Sequence, residues 1–318
     1  MRFPVNNPPL WFTGLLSLLL INCRPGFTFK SSNELNDYPS GSGMAYFNNR
    51  IYLIGDDAAY LLIVDTTLNG IDSINLIESQ QRRIPKDVKQ DLEAAAVVPV
   101  NKSYAVLLLG SGSLDPYRSH AWLIQPYTKQ KTQFSLDTFY KRIKAEGIKE
   151  LNIEGVTAIP GGIVLANRGN KTFTKNHLIF IAKEFWDYQD STAIKIIKVG
   201  TNTDTAFFSG VSGLDYSRKT DRLLLTISTE NTYSSQADGA IGKSYLWIIN
   251  DISSKKRLTA INPNKVIDLA ALDKRFVGHK IESVCIIAEN RKETALVLAA
   301  DDDKGTTVLF KIIMKNRW

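Results

Sequence analysis

The stretch Ser42-Gly43-Met44-Ala45-Tyr46 is the first of five similar five-residue segments, here called phrases, from which the fold of this chain can be predicted. In each phrase an oxygen-bearing side chain comes first, a short apolar stretch follows, and a turn leads into a second apolar run. A supersecondary unit that recurs every 51 to 70 residues predicts a repeat architecture rather than an ordinary globular core. The other four copies are Glu93-Ala94-Ala95-Ala96-Val97, Glu154-Gly155-Val156-Thr157-Ala158, Ser212-Gly213-Leu214-Asp215-Tyr216 and Glu282-Ser283-Val284-Cys285-Ile286.

Short strands fill the sequence between these phrases. They are rich in β-branched and aromatic residues, and most of them end at turn residues such as Pro160-Gly161-Gly162. Only Leu136–Glu146 and Val266–Arg275 have helical periodicity. The pattern predicts an all-β protein, and the five repeats favour a five-bladed β-propeller, with a six-bladed propeller as the alternative. We expect residues 41–318 to form one propeller domain in which each phrase is the innermost strand of a blade.

Closure of the ring needs a strand from outside the five repeats. The last repeat, which starts at Glu282, has room for only three strands in the sequence that follows it. We expect Phe27–Lys30 or its neighbours to supply the missing outer strand and so to cover an exposed strand edge. The segment 24–40 contains Pro, Gly, Ser and Asn, and the rest of it is expected to be a tether.

The first 23 residues are predicted to be a signal peptide. The apolar run Leu15–Ile21 is shorter than the ~20 residues that a transmembrane helix needs, and it has the length of a signal-peptide core. It ends in Leu20-Ile21-Asn22-Cys23, which resembles a bacterial lipobox except at Asn22, where a small residue is usual. We therefore expect an exported lipoprotein, lipidated at Cys23 and facing the periplasm or the cell surface of a bacterium. A plain secretory signal and an uncleaved anchor are the alternatives.

The composition is that of an ordinary soluble domain, with 44% hydrophobic and 22% charged residues. The net charge of +7 is spread along the chain, and its basic groups have no aromatic residues interleaved. We therefore expect no nucleic-acid partner, a monomer, and membrane contact only through the lipid anchor. The two cysteines, Cys23 and Cys285, form no disulfide framework, and Cys285 is predicted to be a small buried hydrophobe.

The first residues of the five phrases form a candidate metal site. In a propeller they lie around one channel, where three carboxylates repel one another and lose their hydration. They must therefore bind protons, share water, or hold a cation. A set of oxygen donors without His or Cys suits calcium or magnesium better than zinc, so a bound Ca²⁺ is expected, with a wet channel without metal as the alternative. The five predicted metal ligands are Ser42, Glu93, Glu154, Ser212 and Glu282.

The sequence from Ser42 to Asp57 resembles the opening blade of the calcium-activated nucleotidases, which are five-bladed apyrases. In that family the five innermost strands supply Ser, Glu, Glu, Ser and Glu in the order found here, and these residues hold one central calcium. The resemblance covers the repeats over about residues 42–313, and it implies a calcium at the same five positions in this chain. More loosely, the chain resembles uncharacterised exported bacterial propellers that are likened to phytases and esterases.

The same resemblance implies basic residues that hold phosphate at the channel mouth, and here the sequence departs from the family. Asp56-Asp57-Ala58 stands where the family has Asp-Asp-Arg, and Arg168 stands where it has a pair of arginines. Phosphate recognition usually needs such basic groups, so their shortage favours a module that binds a small-molecule or protein ligand. The alternative is a calcium-dependent hydrolase, nucleotidase-like or esterase-like, that acts on phosphate anhydrides or esters. Its candidate catalytic residues are Asp56, Asp57, Arg168 and Glu230.

Overall fold

Five small β-sheets surround one central channel in the computed structural model, and each sheet contains one of the five phrases. The structure describes residues 26–200, 207–235, 239, 241–301 and 305–317. The all-β, five-bladed propeller predicted from the repeats is confirmed, and the six-bladed alternative is wrong. The predicted signal peptide, with Cys23, lies outside the described residues.

Each blade is a meander of strands that runs outward from the channel. A first strand, β1 (Phe27–Leu35), precedes the blades. Blade 1 contains β2 (Gly41–Phe47), β3 (Arg50–Gly55), β4 (Tyr60–Asp65) and β5 (Gly70–Asn75). Blade 2 contains β6 (Leu92–Val100), β7 (Ser103–Gly110), β8 (His120–Ile124) and β9 (Lys131–Ser135). Blade 3 contains β10 (Ile153–Ile159), β11 (Gly162–Asn167), β12 (Asn176–Ile181) and β13 (Ile194–Val199).

The last two blades differ from the first three in their outer strands. Blade 4 contains β14 (Phe208–Ser217), β15 (Arg222–Glu230) and β16 (Ile241–Asn250). The chain then adds β17 (Ala260–Ile261), which pairs in parallel with β13 of blade 3, before β18 (Lys265–Asp268) completes blade 4. Blade 5 contains β19 (Lys280–Glu289), β20 (Glu293–Asp301) and β21 (Thr307–Lys315).

The fourth strand of blade 5 comes from the start of the described chain. β1 pairs antiparallel with β21 from Phe27, opposite Met314, to Leu35, opposite Thr307. The predicted closure is therefore confirmed, and the closing strand continues beyond Phe27–Lys30 into its neighbours as far as Leu35. Beside it, the Thr307 hydroxyl accepts a hydrogen bond from the Gly41 amide and donates one to the Tyr38 carbonyl, which joins blade 5 to blade 1.

Apolar side chains fill each of the five interfaces between neighbouring blades. The interface of blades 2 and 3 also takes the apolar face of α1 (Asp137–Ala145), which lies within the predicted Leu136–Glu146. Cys285 is buried between blades 5 and 1, as predicted, and has a free thiol. Burial of these faces is the main force that holds the blades in a ring.

The second predicted helix, Val266–Arg275, is wrong. Its start is β18, the outer strand of blade 4, and only α2 (Leu269–Leu272) and a 3₁₀ turn at Lys274–Phe276 are helical. The carboxylates of Asp268 and Asp273 accept hydrogen bonds from the Ala271 and Arg275 amides, so each begins its own short turn. Further 3₁₀ turns lie at Phe185–Asp187 and Ile252–Arg257.

The innermost strands approach one another closely around the channel, in the order β2, β6, β10, β14, β19 and back to β2. This approach explains the small second residue of the phrases. A Cβ atom on Gly213 would lie 2.7 Å from the Glu282 carbonyl oxygen of the next blade, and one on Gly43 would lie 3.0 Å from that of Glu93. Larger side chains at these two positions would push neighbouring blades apart.

Candidate functional site at the channel mouth

Every inner strand has a β-bulge at the first residue of its phrase. In blade 1 the pairing register shifts between Gly41 and Gly43, so that Ser42 is the extra residue. A bulge leaves one residue out of the strand ladder and changes the direction of its side chain. The five positions are thus structurally equivalent, as the repeated phrase predicts. The corresponding extra residues of the other blades are Glu93, Glu154, Ser212 and Glu282.

Four of these five residues meet at one cavity. The cavity has a volume of about 100 Å³, and Ser42, Glu93, Glu154 and Glu282 are among the residues that line it. Ser212 is not among them. The structure therefore brings the three predicted carboxylates and one of the two predicted serines together.

Both serines join adjacent blades. The Ser42 hydroxyl donates a hydrogen bond of 2.7 Å to the Leu92 carbonyl of blade 2. The Ser212 hydroxyl donates one of 2.7 Å to the Ile281 carbonyl of blade 5. In each case the acceptor belongs to the residue just before the bulge of the next blade, so the hydroxyls stabilise the ring whether or not they also contact a ligand.

Two basic side chains compensate the negative charge of the carboxylates of blades 3 to 5. We call this group the blade 3–5 cluster, and it consists of Glu154, Arg168, Glu230, Lys280 and Glu282. The Lys280 Nζ atom lies 2.6 Å from Glu230 Oε1 and 2.7 Å from Glu282 Oε1. The Arg168 guanidinium lies 3.0 Å from Glu230 Oε2 and 3.9 Å from Glu154 Oε1. Burial alone would lower the pKa of Lys280, but the carboxylates of Glu282 and Glu230 outweigh it and hold that pKa well above its ordinary value.

A second charged group, the blade 1–2 cluster, faces the first across the cavity: Asp56, Lys89, Asp91, Glu93 and Arg118. Lys89 forms ion pairs with Asp56 and, at 2.8 Å, with Asp91. Arg118 lies 2.9 Å from Asp91 on the other side. Asp56, Asp91 and Glu93 each have a carboxylate oxygen within 4.8 Å of the other two.

For several carboxyl groups of the cavity, burial destabilises the ionised form by more than these cations stabilise it. Burial, and then the charge of Glu154, raises the pKa of Glu93 well above its ordinary value. Burial likewise raises the pKa of Glu154 to about 8, although Arg168 opposes the shift, and raises those of Asp56 and Glu282. Ionised carboxylates are therefore under-compensated at this site.

Unsatisfied oxygen atoms lead to the same conclusion. Asp56 Oδ1 and Glu282 Oε2 are buried atoms without a hydrogen-bond partner among the described residues. The cavity lining contains more acidic than basic side chains. The acidic ones are Asp56, Asp91, Glu93, Glu154, Glu230, Glu282 and Asp301, and the basic ones are Lys86, Lys89, Arg118, Arg168 and Lys280. Buried polar atoms of this kind are rare in folded proteins and indicate a bound proton, water or ion.

Three of the four predicted catalytic residues lie at this cavity, namely Asp56, Arg168 and Glu230. Asp57 does not line it, because its carboxylate turns to the Arg83 guanidinium at 2.5 Å beside a neighbouring cleft. Arg168 is almost fully buried, and its guanidinium also donates to the Ser228 hydroxyl and the Val211 carbonyl. The contacts of Arg168 are therefore those of a residue that holds the strand ends together.

The sequence reasoning missed most of the basic side chains. The expected shortage of basic residues at the mouth is wrong, because five of them line the cavity. The signal was nearness to the phrases. Lys280 stands in β19 two residues before Glu282, and Lys89 lies four residues before Glu93, in the segment just ahead of β6. Arg118 had no such signal, since it comes from the loop between β7 and β8.

A family model matches residues 37–314, which span all five blades. The chain belongs to the family of unknown function DUF6929. No curated protein matches the chain. Among the described residues, no helix has the length and apolar character needed to cross a membrane.

Solved structures with a similar course of the chain share little sequence with this DUF6929 member. The glutaminyl cyclase of Myxococcus xanthus aligns with a TM-score of 0.47 and 10% identity, over 92% of this chain and 97% of that chain. A Bacteroides fragilis protein provisionally described as exported aligns with a TM-score of 0.41 and 7% identity, over 91% and 96% of the two chains. A DUF4623 family protein from Bacteroides eggerthii aligns with a TM-score of 0.37 and 9% identity, over 92% and 77%. The resemblance to the calcium-activated nucleotidases stays a prediction.

Proposed function

We propose that this DUF6929 protein is an exported, lipid-anchored propeller that binds a small-molecule or protein ligand at the channel mouth with the help of a bound calcium ion. The observation that carries the proposal is the under-compensated set of buried carboxylates. Seven acidic and five basic side chains line a cavity of about 100 Å³, and burial raises the pKa of Glu93 well above its ordinary value. A cation that binds there would supply the missing positive charge.

The chemistry of the donors fits calcium. Asp56, Asp91 and Glu93 offer carboxylate oxygens within 4.8 Å of one another, and Ser42 and Glu154 line the same cavity. Calcium prefers six to eight hard oxygen ligands at roughly 2.3–2.6 Å, drawn from carboxylates, carbonyls and water. Glu93 belongs to the blade 1–2 cluster but has no ion pair among the described residues, so it is the ligand we regard as essential. When bound, the ion would act as a Lewis acid and would orient an oxygen-bearing ligand at the mouth.

A binding role is favoured over hydrolysis because four of the five basic side chains of the cavity already have anionic partners. Arg168 and Lys280 share Glu230, and Lys89 and Arg118 share Asp91. A phosphate would have to compete with these carboxylates for the same donors. The hydrolase alternative keeps one observation in its favour, which is the presence of five basic residues at the cavity. Release of phosphate from nucleoside di- and triphosphates in the presence of calcium would establish that alternative.

A calcium titration of the purified chain tests the central site. We expect calcium to raise the melting temperature, because a ligand at 100 times its Kd stabilises the folded state by about 2.7 kcal/mol. Glu93→Gln should abolish that shift, whereas Glu289→Gln, which alters a carboxylate near the opposite end of the channel, should retain it. A chain whose melting temperature does not respond to calcium would overturn the proposed site.

The lipid anchor is tested separately. The proposal predicts that Cys23→Ala moves the chain from the membrane fraction to the soluble fraction of the producing bacterium, since the anchor supplies its membrane attachment. Ser32→Ala, in the exposed part of β1, is the matched control and should leave the chain in the membrane fraction. Retention of Cys23→Ala in the membrane would contradict the lipid anchor and would favour an uncleaved leader.

A further inference from the structure

The opposite end of the channel holds a second, larger cavity. Its volume is about 370 Å³, and residues from all five inner strands line it. The phrases begin at the charged mouth and run towards this end, so the lining comes from their later residues. Those residues include Tyr46 and Phe47 of blade 1, Ala96 of blade 2, Asp215 of blade 4 and Ala288 of blade 5.

Small side chains create the space. Alanines line the cavity in four blades, whereas ion pairs and long polar side chains fill the channel at the charged mouth. A cavity of this volume can admit a drug-sized or smaller organic molecule. The lining alanines are Ala45, Ala95, Ala96, Ala158 and Ala288.

Aromatic rings form one wall of the cavity and continue onto the surface. The rings of Phe47 and Tyr104 are 5.6 Å apart, and the ring of Tyr127 lies 5.8 Å from Phe47 on the outer side. Tyr104 is 44% exposed and Tyr127 is 71% exposed. Exposed rings that adjoin a cavity offer flat faces on which an apolar body or a cation can rest.

A fixed carboxylate lies across the cavity from this wall. Asp215 accepts hydrogen bonds from the Thr157 hydroxyl at 3.1 Å and from the amides of Tyr216 and Ile286 at 2.7 Å each. These three contacts hold the group in place and leave acceptor capacity on Oδ2, which receives only the Ile286 amide. Burial disfavours the ionised form of Asp215, so a cationic partner would stabilise it.

Charge selects the class of ligand. Glu289, fixed by the Ser217 hydroxyl and the Arg218 amide, is a second carboxylate of the lining. Among the described lining residues Arg218 is the one basic side chain, and it is exposed at the rim. Two carboxylates and an aromatic wall favour a cation over an anion.

We propose that this aromatic cavity is a second binding site, independent of the calcium proposal, and that it takes an organic amine with an apolar body. The ammonium group lies towards Asp215, and the apolar body rests against Phe47 and Tyr104. The two sites share the inner strands and no lining residue, so each can be tested without the other.

Three probes of one shape test the proposal: 2-phenylethylamine, which is a cation at pH 7, neutral 2-phenylethanol, and anionic 3-phenylpropanoate. Binding to the purified full chain is measured by calorimetry or by the change in tyrosine fluorescence. We expect the amine to bind about tenfold or more tightly than the alcohol, and the anion to bind more weakly still. Equal binding of amine and alcohol, or no binding of the amine at millimolar concentration, would overturn the proposal.

Matched variants locate the site. Asp215→Asn keeps the shape of the side chain and should weaken amine binding about tenfold while leaving the alcohol unchanged. Tyr104→Ala removes an exposed ring, so it should fold normally and weaken both the amine and the alcohol. Ser32→Ala, on the exposed side of β1 and in the lining of neither cavity, should leave all three affinities unchanged. Unaltered amine binding in a folded Tyr104→Ala chain would contradict a site at this wall.

Discussion

The two ends of the channel are built from the same five inner strands, yet they hold different chemistry. At the charged mouth each strand has a bulge, and the residue in the bulge is Ser or Glu. At the aromatic end most of the lining residues are small or apolar, and the carboxylate of Asp215 accepts three hydrogen bonds from amides and a hydroxyl. One repeated strand can therefore provide two sites, since its first residues face one end of the channel and its last residues face the other.

The two ends also differ in how they tolerate charge. Asp215 at the aromatic end depends on amide and hydroxyl donors, whereas Glu282 at the charged mouth depends on Lys280. A carboxylate that relies on a basic partner becomes an uncompensated buried charge as soon as that partner is removed. The charged mouth should therefore be the more fragile end and the more responsive to added cations.

The largest effect is expected from Lys280→Met. The substitution leaves Glu230 and Glu282 without their shared cation, so the free energy of unfolding should fall by about 3–5 kcal/mol. Added calcium should restore part of the loss, because it can replace the missing charge. Denaturant unfolding with and without calcium measures both effects.

Lys243→Met is the control for that substitution. Lys243 forms an ion pair with Asp268 on the surface of blade 4, and 63% of its side chain is exposed, so its removal should leave stability nearly unchanged. A small loss in Lys280→Met, similar to that of the control, would mean that the charged mouth is no more fragile than the surface.

An intermediate effect is expected from pH in the absence of calcium. Glu154 has a folded-state pKa of about 8 against an ordinary value of 4.5, so the folded state binds more protons than the unfolded state between these values. Stability should then fall as pH rises from about 4.5 to 8, with a slope of at most about 1.4 kcal/mol per pH unit for this one group. Calcium should flatten the slope, because it favours the ionised carboxylate.

Substitutions at the two ends of the channel show which end causes the change of stability with pH. Glu154→Gln should make the fall in stability between pH 6 and pH 8 shallower, and the raised pKa of Glu93 should account for the part that is left. Asp215→Asn should act at lower pH, because the pKa of Asp215 is raised only to about 6 from 3.8. Thermal unfolding across this pH range tests both. A fall between pH 6 and pH 8 that is equally steep in Glu154→Gln would assign the proton uptake to another group.

Much of the fold could be read from the sequence, because its signals are local. The five phrases, the strand runs and the missing fourth strand of blade 5 each correspond to an element that forms as predicted. The prediction of a helix at Val266–Arg275 was wrong because pairing of β18 with β16 overrode the helical periodicity. Tertiary contacts of this kind leave no mark on the pattern of a single segment.

The candidate site was predictable only in part. The carboxylates recur at fixed positions in the phrases, so Glu93, Glu154 and Glu282 could be expected to meet. The basic side chains of the cavity come from different places, such as the end of β11 for Arg168 and a loop of blade 2 for Arg118. Only the closed ring brings these side chains together, and this is why the expected shortage of basic residues was wrong.

The smallest effects are expected from replacing the two serines of the bulges by alanine. These substitutions distinguish a serine that only joins neighbouring blades from one that also binds the ion. Ser42→Ala and Ser212→Ala each remove one hydrogen bond between neighbouring blades, so each should cost about 1 kcal/mol of stability. Only Ser42 lines the charged cavity, so only Ser42→Ala should also lower the affinity for calcium, measured by calorimetry. Equal losses of affinity in both variants would place Ser212 at the ion, as the resemblance to the nucleotidases implies. No loss in either would restrict both serines to holding the blades together.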